Sequence, residues 1–232
     1  MANTLTIYHG SAHIVERPVF VVGNPNIYYG LGFYCTESID LAKEWACSAE
    51  SDGFANRYSL NLDGLSVLSL TDGNYNILNW LAILLENRKF RISGELALQA
   101  REYIFENFLI DYKKYDVIKG YRADDSYFSF ATAFLNGTIS IGQLEKAMVL
   151  GKLGEQIVAV SERAFEAVSF ETAIEAAREV YYPKKMARDT AARDEFRKEK
   201  GRGSVLTEKY ILDIMREGWK DHDERLQRVV LG

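Results

Sequence analysis

The chain reads as an α+β protein: a mixed body followed by a helical C-terminal extension. Three observations carry that reading. Two-residue alternation of apolar side chains marks strands at residues 5–9 and 57–62. Three- and four-residue spacing marks helices over 75–86 and 95–108. After Glu171 the strand signal stops and charged, Ala-rich helical patterns take over.

Taken in order, Leu5, Ile7 and His9 alternate with Thr4, Thr6 and Tyr8, which predicts a first strand. Gly23-Asn24-Pro25-Asn26 predicts a turn. Residues 33–36 are short and extended behind a glycine. Ser38 is placed to cap a helix on which Leu41, Ala42, Trp45 and Ala46 share one face. Residues 57–62 and 65–70, joined by Asp63-Gly64, predict a hairpin. Helices are expected over 75–86, 95–108, 127–135 and 141–149, and strands over 115–120, 156–160 and 164–170. Beyond Glu171, helices are expected over 173–181, 186–200 and 207–230, broken by Pro183 and by Gly201-Arg202-Gly203-Ser204. The division is therefore a body of residues 1–170 and an extension of residues 171–232, packed on or beside it.

Composition narrows the function classes. A formal net charge of −5 gives no overall pull toward nucleic acid or an anionic membrane. With 47% hydrophobic and 26% charged residues, the chain is composed like a folded globular protein. No run approaches the roughly 18 apolar residues of a membrane span. The first residues lack the basic flank and apolar centre of a signal peptide, so a cytoplasmic location is expected. Cys35 and Cys47 are then expected as free thiols. The three histidines are scattered and no His-Glu-x-x-His or paired-Cys pattern occurs, so no metal site is expected. Gly30-Leu31-Gly32 begins like a dinucleotide fingerprint. However, Cys35 stands where the third glycine belongs, and the segment leads into a strand, so a Rossmann reading fails. Residues 184–202 are rich in Lys and Arg. A solvated helix is the ordinary reading, and nucleic-acid binding is possible but not indicated.

The remaining signal is an ordered set of short motifs. It comprises Tyr8-His9-Gly10-Ser11, Gly32-Phe33-Tyr34-Cys35-Thr36, Trp45-Ala46, Tyr115-Asp116-Val117-Ile118-Lys119-Gly120 with Ala123-Asp124-Asp125, and Gln156-Ile157. Together these resemble the ADP-ribosyltransferase superfamily, in the His-Tyr-Glu branch that includes diphtheria toxin and the poly-ADP-ribose polymerases. They are most similar to an uncharacterised bacterial family of that superfamily. The other branch uses a Glu-x-Glu turn, which this chain lacks.

The resemblance implies a split-sheet core that binds NAD as a substrate. His9 would hydrogen-bond the ribose next to nicotinamide. Gly10 would let the backbone approach the carboxamide, since no Cβ intervenes. Tyr34 would stack on the nicotinamide ring, and Trp45 would cover another face. Ser11 and Gly32 complete the expected NAD contacts. The third catalytic position falls on Gly154-Glu155-Gln156-Ile157-Val158. Adjacent side chains on a strand point to opposite sides, so Glu155 and Gln156 are alternatives. Glu155 fits the pattern of a Glu before apolar residues and can act as a base. Gln156 fits the late Gln-Ile of the bacterial family but cannot take a proton. Core roles for His9, Tyr34 and Trp45 are the plain alternative. The implied activity is mono-ADP-ribosyl transfer from NAD to an unknown protein or nucleic-acid acceptor. A bacterial toxin role, with a small antitoxin protein as partner, is implied by analogy alone. The competing expectations are NAD or ADP-ribose binding without turnover, and NAD hydrolysis.

Overall fold

The computed structural model describes residues 3–20, 27–88, 92–122, 125–149, 154–201 and 208–227. Two sheets form its frame. In the first, β1 (Thr4–Ser11), β3 (Gly53–Asn61) and β7 (Val168–Ala176) run antiparallel in the order β1-β3-β7. In the second, the order is β2-β6-β5-β4, from β2 (Phe33–Cys35), β6 (Glu155–Ala159), β5 (Val117–Tyr121) and β4 (Val67–Ser69). Its strands pair antiparallel except β4 with β5, which are parallel. A bridge between Tyr8 and Thr36 joins the two sheets.

Alternation then sets two cores. Ile7, Tyr58 and Leu60 from the first sheet meet Phe33, Val117 and Ile157 from the second. On the opposite face of the second sheet, Ile118 and Val158 join a larger helical core. At its centre lies α2 (Ile77–Asn87), buried continuously from Ile77 to Leu85. Asn76 starts this helix by accepting from the Leu78 and Asn79 amides, and Asn79 bonds back to the Asn76 amide. Around it pack α3 (Glu95–Phe108), α4 (Asp125–Leu135) and α5 (Ile141–Val149). Each fully buried Leu or Ile here contributes about 1.5–3 kcal/mol. Ser38 caps α1 (Ile39–Ala46), its side chain accepting from the Leu41 amide at 3.3 Å.

Mixed α/β architecture is thus observed, and α3 and α5 span the expected residues. Five local expectations are corrected. Residues 57–62 and 65–70 form no hairpin. β3 lies between β1 and β7, while β4 joins β5 in the other sheet. A turn at Leu62–Leu65, with Gly64 at φ 77°, hands the chain from one sheet to the other. The strand expected over 164–170 is instead a short helix, α6 (Glu162–Glu166), followed by β7. Ser161 caps α6 by accepting from the Ala164 amide. β7 continues to Ala176, so strand structure passes beyond Glu171 and the residue-170 boundary falls inside a paired strand. Pairing with β3 overrides the weak strand propensity of its Glu and Ala residues.

Finally, Pro183 does not break the extension. One helix, α7 (Arg178–Gly201), runs through it. The helix expected over 207–230 is divided into α8 (Ile211–Arg216) and α9 (Glu224–Gln227), with Gly218 at φ 66° ending the first. The turn expected at Gly23-Asn24-Pro25-Asn26 lies outside the described residues, as does Arg202-Gly203-Ser204. Among the described residues, no helix is long and apolar enough to cross a membrane.

Candidate functional site

The site begins where β1 and β2 part. Tyr8 exchanges both backbone bonds with Thr36, at 2.8 and 3.0 Å. In an antiparallel ladder the next residue facing the same neighbour is two along, so the Gly10 N–H and C=O point toward β2. The matching carbonyl on β2 is that of Tyr34. His9 Nδ1 takes it instead, at 2.8 Å. The imidazole therefore stands in for the next rung and holds the strands apart. The Gly10 backbone edge is left facing the gap.

This bond also settles the His9 tautomer. A carbonyl only accepts, so Nδ1 carries the proton and Nε2 is an acceptor. Burial holds the imidazole below its ordinary 6.5, partly opposed by the Tyr34 bond. The ring lies 4.7 Å from that of Phe33. Because the folded state favours neutral His9, this contribution to stability is full above pH 6.5 and drains as pH falls below it. Urea unfolding at about pH 7.5 and about pH 5.5 should therefore show a larger loss for the wild type than for His9→Asn. Equal losses would uncouple His9 from folding.

Alternation places Tyr8, Gly10, Tyr34, Thr36 and Gln156 on one face, because Tyr8 pairs with Thr36 and Tyr34 with Val158. α1 covers part of that face. A Cβ on Gly10 would collide with the Ala42 carbonyl oxygen and stand 3.0 Å from the Ala46 nitrogen. Gly10 therefore has a packing reason of its own, independent of any ligand. Gly32 is similar, since its Cβ would meet the Val158 side chain at 2.6 Å. Ser11 accepts from Asn56 Nδ2 at 3.1 Å. Asn56 is wholly buried and also donates to the His9 and His13 carbonyls, so it holds the end of β1.

Tyr34 is fixed at both ends. Its hydroxyl donates to the Gly30 carbonyl at 2.6 Å and accepts from the Tyr29 amide at 3.2 Å. Tyr28 meets its ring edge-on at 5.6 Å. Burial raises the phenol far above its ordinary range, so it stays protonated. Trp45 is half-buried on α1, with the Arg122 guanidinium 3.8 Å above its ring.

The two candidates on β6 separate cleanly. Glu155 is exposed and its carboxylate accepts from Thr71 Oγ1 on the opposite face. Gln156 is only 3% exposed, shares the Tyr34 face, and its Oε1 has no hydrogen-bond partner. A buried, unsatisfied carbonyl is costly unless something donates to it.

Other expected residues have structural work. Asp116 accepts from Ser161, and from the Ser66 amide and hydroxyl, which ties β4, β5 and α6 together. The Ser161 bond, with those from Ser66, holds its carboxyl below the usual range despite desolvation. Cys35 is wholly buried and its thiol is pushed well above its ordinary value, so it is a poor nucleophile. Cys35 and Cys47 are both free. Asn56 and Glu145 escaped the sequence reading. Glu145 lies half-buried on α5, where desolvation pushes its carboxyl up to about 7. No spacing pattern distinguishes it from an ordinary helix-surface acid.

Fold and site thus define a mixed α/β protein in which His9, from the Phe33 side, bonds across the β1–β2 edge between Gly10 and Tyr34, while Gln156 lies on the opposite, Tyr34 face. Residues 5–170 match the family described as "Protein of unknown function (DUF3990)", and the chain belongs to that family. No curated protein and no solved structure matches it.

Proposed function

We propose that the chain binds NAD at the β1–β2 gap and transfers ADP-ribose to a macromolecular acceptor. The observation that carries this reading is the His9–Tyr34 bond, which takes the Tyr34 carbonyl and leaves the Gly10 N–H and C=O turned toward β2 beyond the Tyr8–Thr36 bridge. A carboxamide such as that of nicotinamide is complementary to such an edge. His9 Nε2 is an acceptor suited to a ribose hydroxyl, and Gln156 Oε1, on the Tyr34 face, is a separate acceptor without a partner among the described residues. Trp45 already carries a planar cation, Arg122, on its face. A nicotinamide ring with its positive charge is another.

Gln156 also favours a second reading. A carboxamide orients a hydroxyl but takes no proton, so binding with slow or absent turnover fits this residue. The test is incubation with NAD labelled in its adenylate, together with bacterial lysate. A labelled macromolecule supports transfer, and free ADP-ribose supports hydrolysis. Intact NAD with measurable affinity supports the binding module. Neither affinity nor turnover would sink all three. For an active protein, His9→Ala should lower turnover about 100-fold, the scale of a misplaced reacting group. Loss of turnover in Gln156→Ala but not in Glu155→Ala fits the faces described. The reverse would remove Gln156 from the site.

A further inference from the structure

We propose that the free edge of β7 is a docking site for an extended basic segment of a partner protein, which adds to the sheet as a fourth strand. Among the described residues, β7 ends its side of the order β1-β3-β7 and is nine residues long. Its free groups follow from the ladder. Tyr8 bonds toward β2, so His9 and Ile7 bond toward β3, paired with Asn56 and Tyr58. Arg57, Ser59 and Ala55 then bond toward β7, where their partners are Thr172, Ser169 and Ile174. The bond from the Asn61 amide to the Ala167 carbonyl continues that phase. Val168 and Phe170 before the bulge at Glu171, and Ala173 and Glu175 after it, are left with their N–H and C=O groups pointing away from β3. A long edge with such groups is a template for another strand.

The surroundings select the occupant. At the head of β7 a groove is lined by Val168, Phe165, Phe20 and Val19. Val19 is 59% exposed and Phe20 37%, which leaves apolar side chains at the groove for an occupant to cover. Phe20 meets Phe165 edge-on at 5.3 Å, so the groove has a formed aromatic wall. Three carboxylates, from Glu16, Glu162 and Glu166, line the same groove against the single guanidinium of Arg17. Farther along the strand Glu175 is exposed as well. Apolar side chains alternating with Lys or Arg match this pattern. An acidic strand does not.

The test uses the full chain and two blocked nine-residue peptides, one alternating Lys with Val and the other Glu with Val. Amide hydrogen exchange is read residue by residue, alongside fluorescence anisotropy. The Lys peptide should bind and slow exchange at Val168, Phe170, Ala173 and Glu175. The amides of Ser169 and Thr172, already bonded to β3, should change little. Glu162→Lys with Glu166→Lys should weaken binding about tenfold and flatten its salt dependence. Ala173→Pro removes an outward N–H without touching the β3 ladder and should also weaken it. Binding that leaves the four outward amides unprotected would overturn the proposal, as would equal binding of both peptides. Binding of neither peptide would overturn it too.

Discussion

Gly10→Ala is expected to destabilise the protein by about 3 kcal/mol, whether or not NAD is present. The reason is a seam between β1, β3 and α1 built from residues with little or no side chain. At Gly10 the added methyl would meet the Ala42 carbonyl, and at Gly53 it would meet the Ala46 carbonyl carbon at 2.7 Å. Both obstacles are helix backbone, which cannot rotate aside. Ala42 and Ala55 are wholly buried in the same region. For a chain of this size, a loss of that order lowers the thermal midpoint by roughly 6–12 °C. Gly73→Ala is the informative comparison. Unlike Gly10, Gly73 sits at positive φ, 87°, and nothing lies within 4 Å of its added Cβ. It should cost only about 1–2 kcal/mol, the strain of a left-handed backbone without a clash. Thermal unfolding of both variants checks the pair. A stable Gly10→Ala variant that no longer binds NAD would mean that Gly10 serves the ligand rather than the seam.

That residue shows how much was legible before the structure. The motif around His9 and Gly10 marked a special backbone position, and the position is special. Sequence could not say that α1 fills the space above it, because that contact joins residues more than thirty apart. Strand β1, the Ser38 cap and helices α3 and α5 are set by local pattern and were readable. β7 was not. Its second half is Glu-Thr-Ala-Ile-Glu-Ala, which carries little strand preference and is held by β3. The Asp63-Gly64 turn looked like a hairpin because local chemistry specifies a turn, not which sheet receives the next strand. At the site, alternation predicted that only one of Glu155 and Gln156 could share a face with Tyr34. Choosing between them required the register of β2 against β6.

Arg188→Met is expected to cost about 3 kcal/mol, because it strands the Glu44 carboxylate inside the protein. Glu44 is buried on α1, with its side chain 3% exposed, and Arg188 on α7 is 28% exposed. The pair is bidentate: Nε to Oε2 at 2.9 Å and Nη2 to Oε1 at 2.8 Å. Further contacts bind the same two helices. Lys185 donates to the Cys47 carbonyl, and Lys43 donates to the Tyr181 hydroxyl. At its far end, Phe196 of α7 packs against Phe130 of α4, with ring centroids 3.8 Å apart and the planes tilted by 36°. α7 thus straps α1, which carries Trp45, to the helical layer, although it lies beyond the matched residues 5–170. Replacing both partners, Glu44→Met with Arg188→Met, should recover most of the loss, since no charge is then left buried. Urea unfolding of the two single variants and the double variant gives the coupling directly. A single-variant loss below about 1 kcal/mol, the value of an exposed ion pair, would mean that α7 merely rests on α1 and does not hold the indole of Trp45 in place.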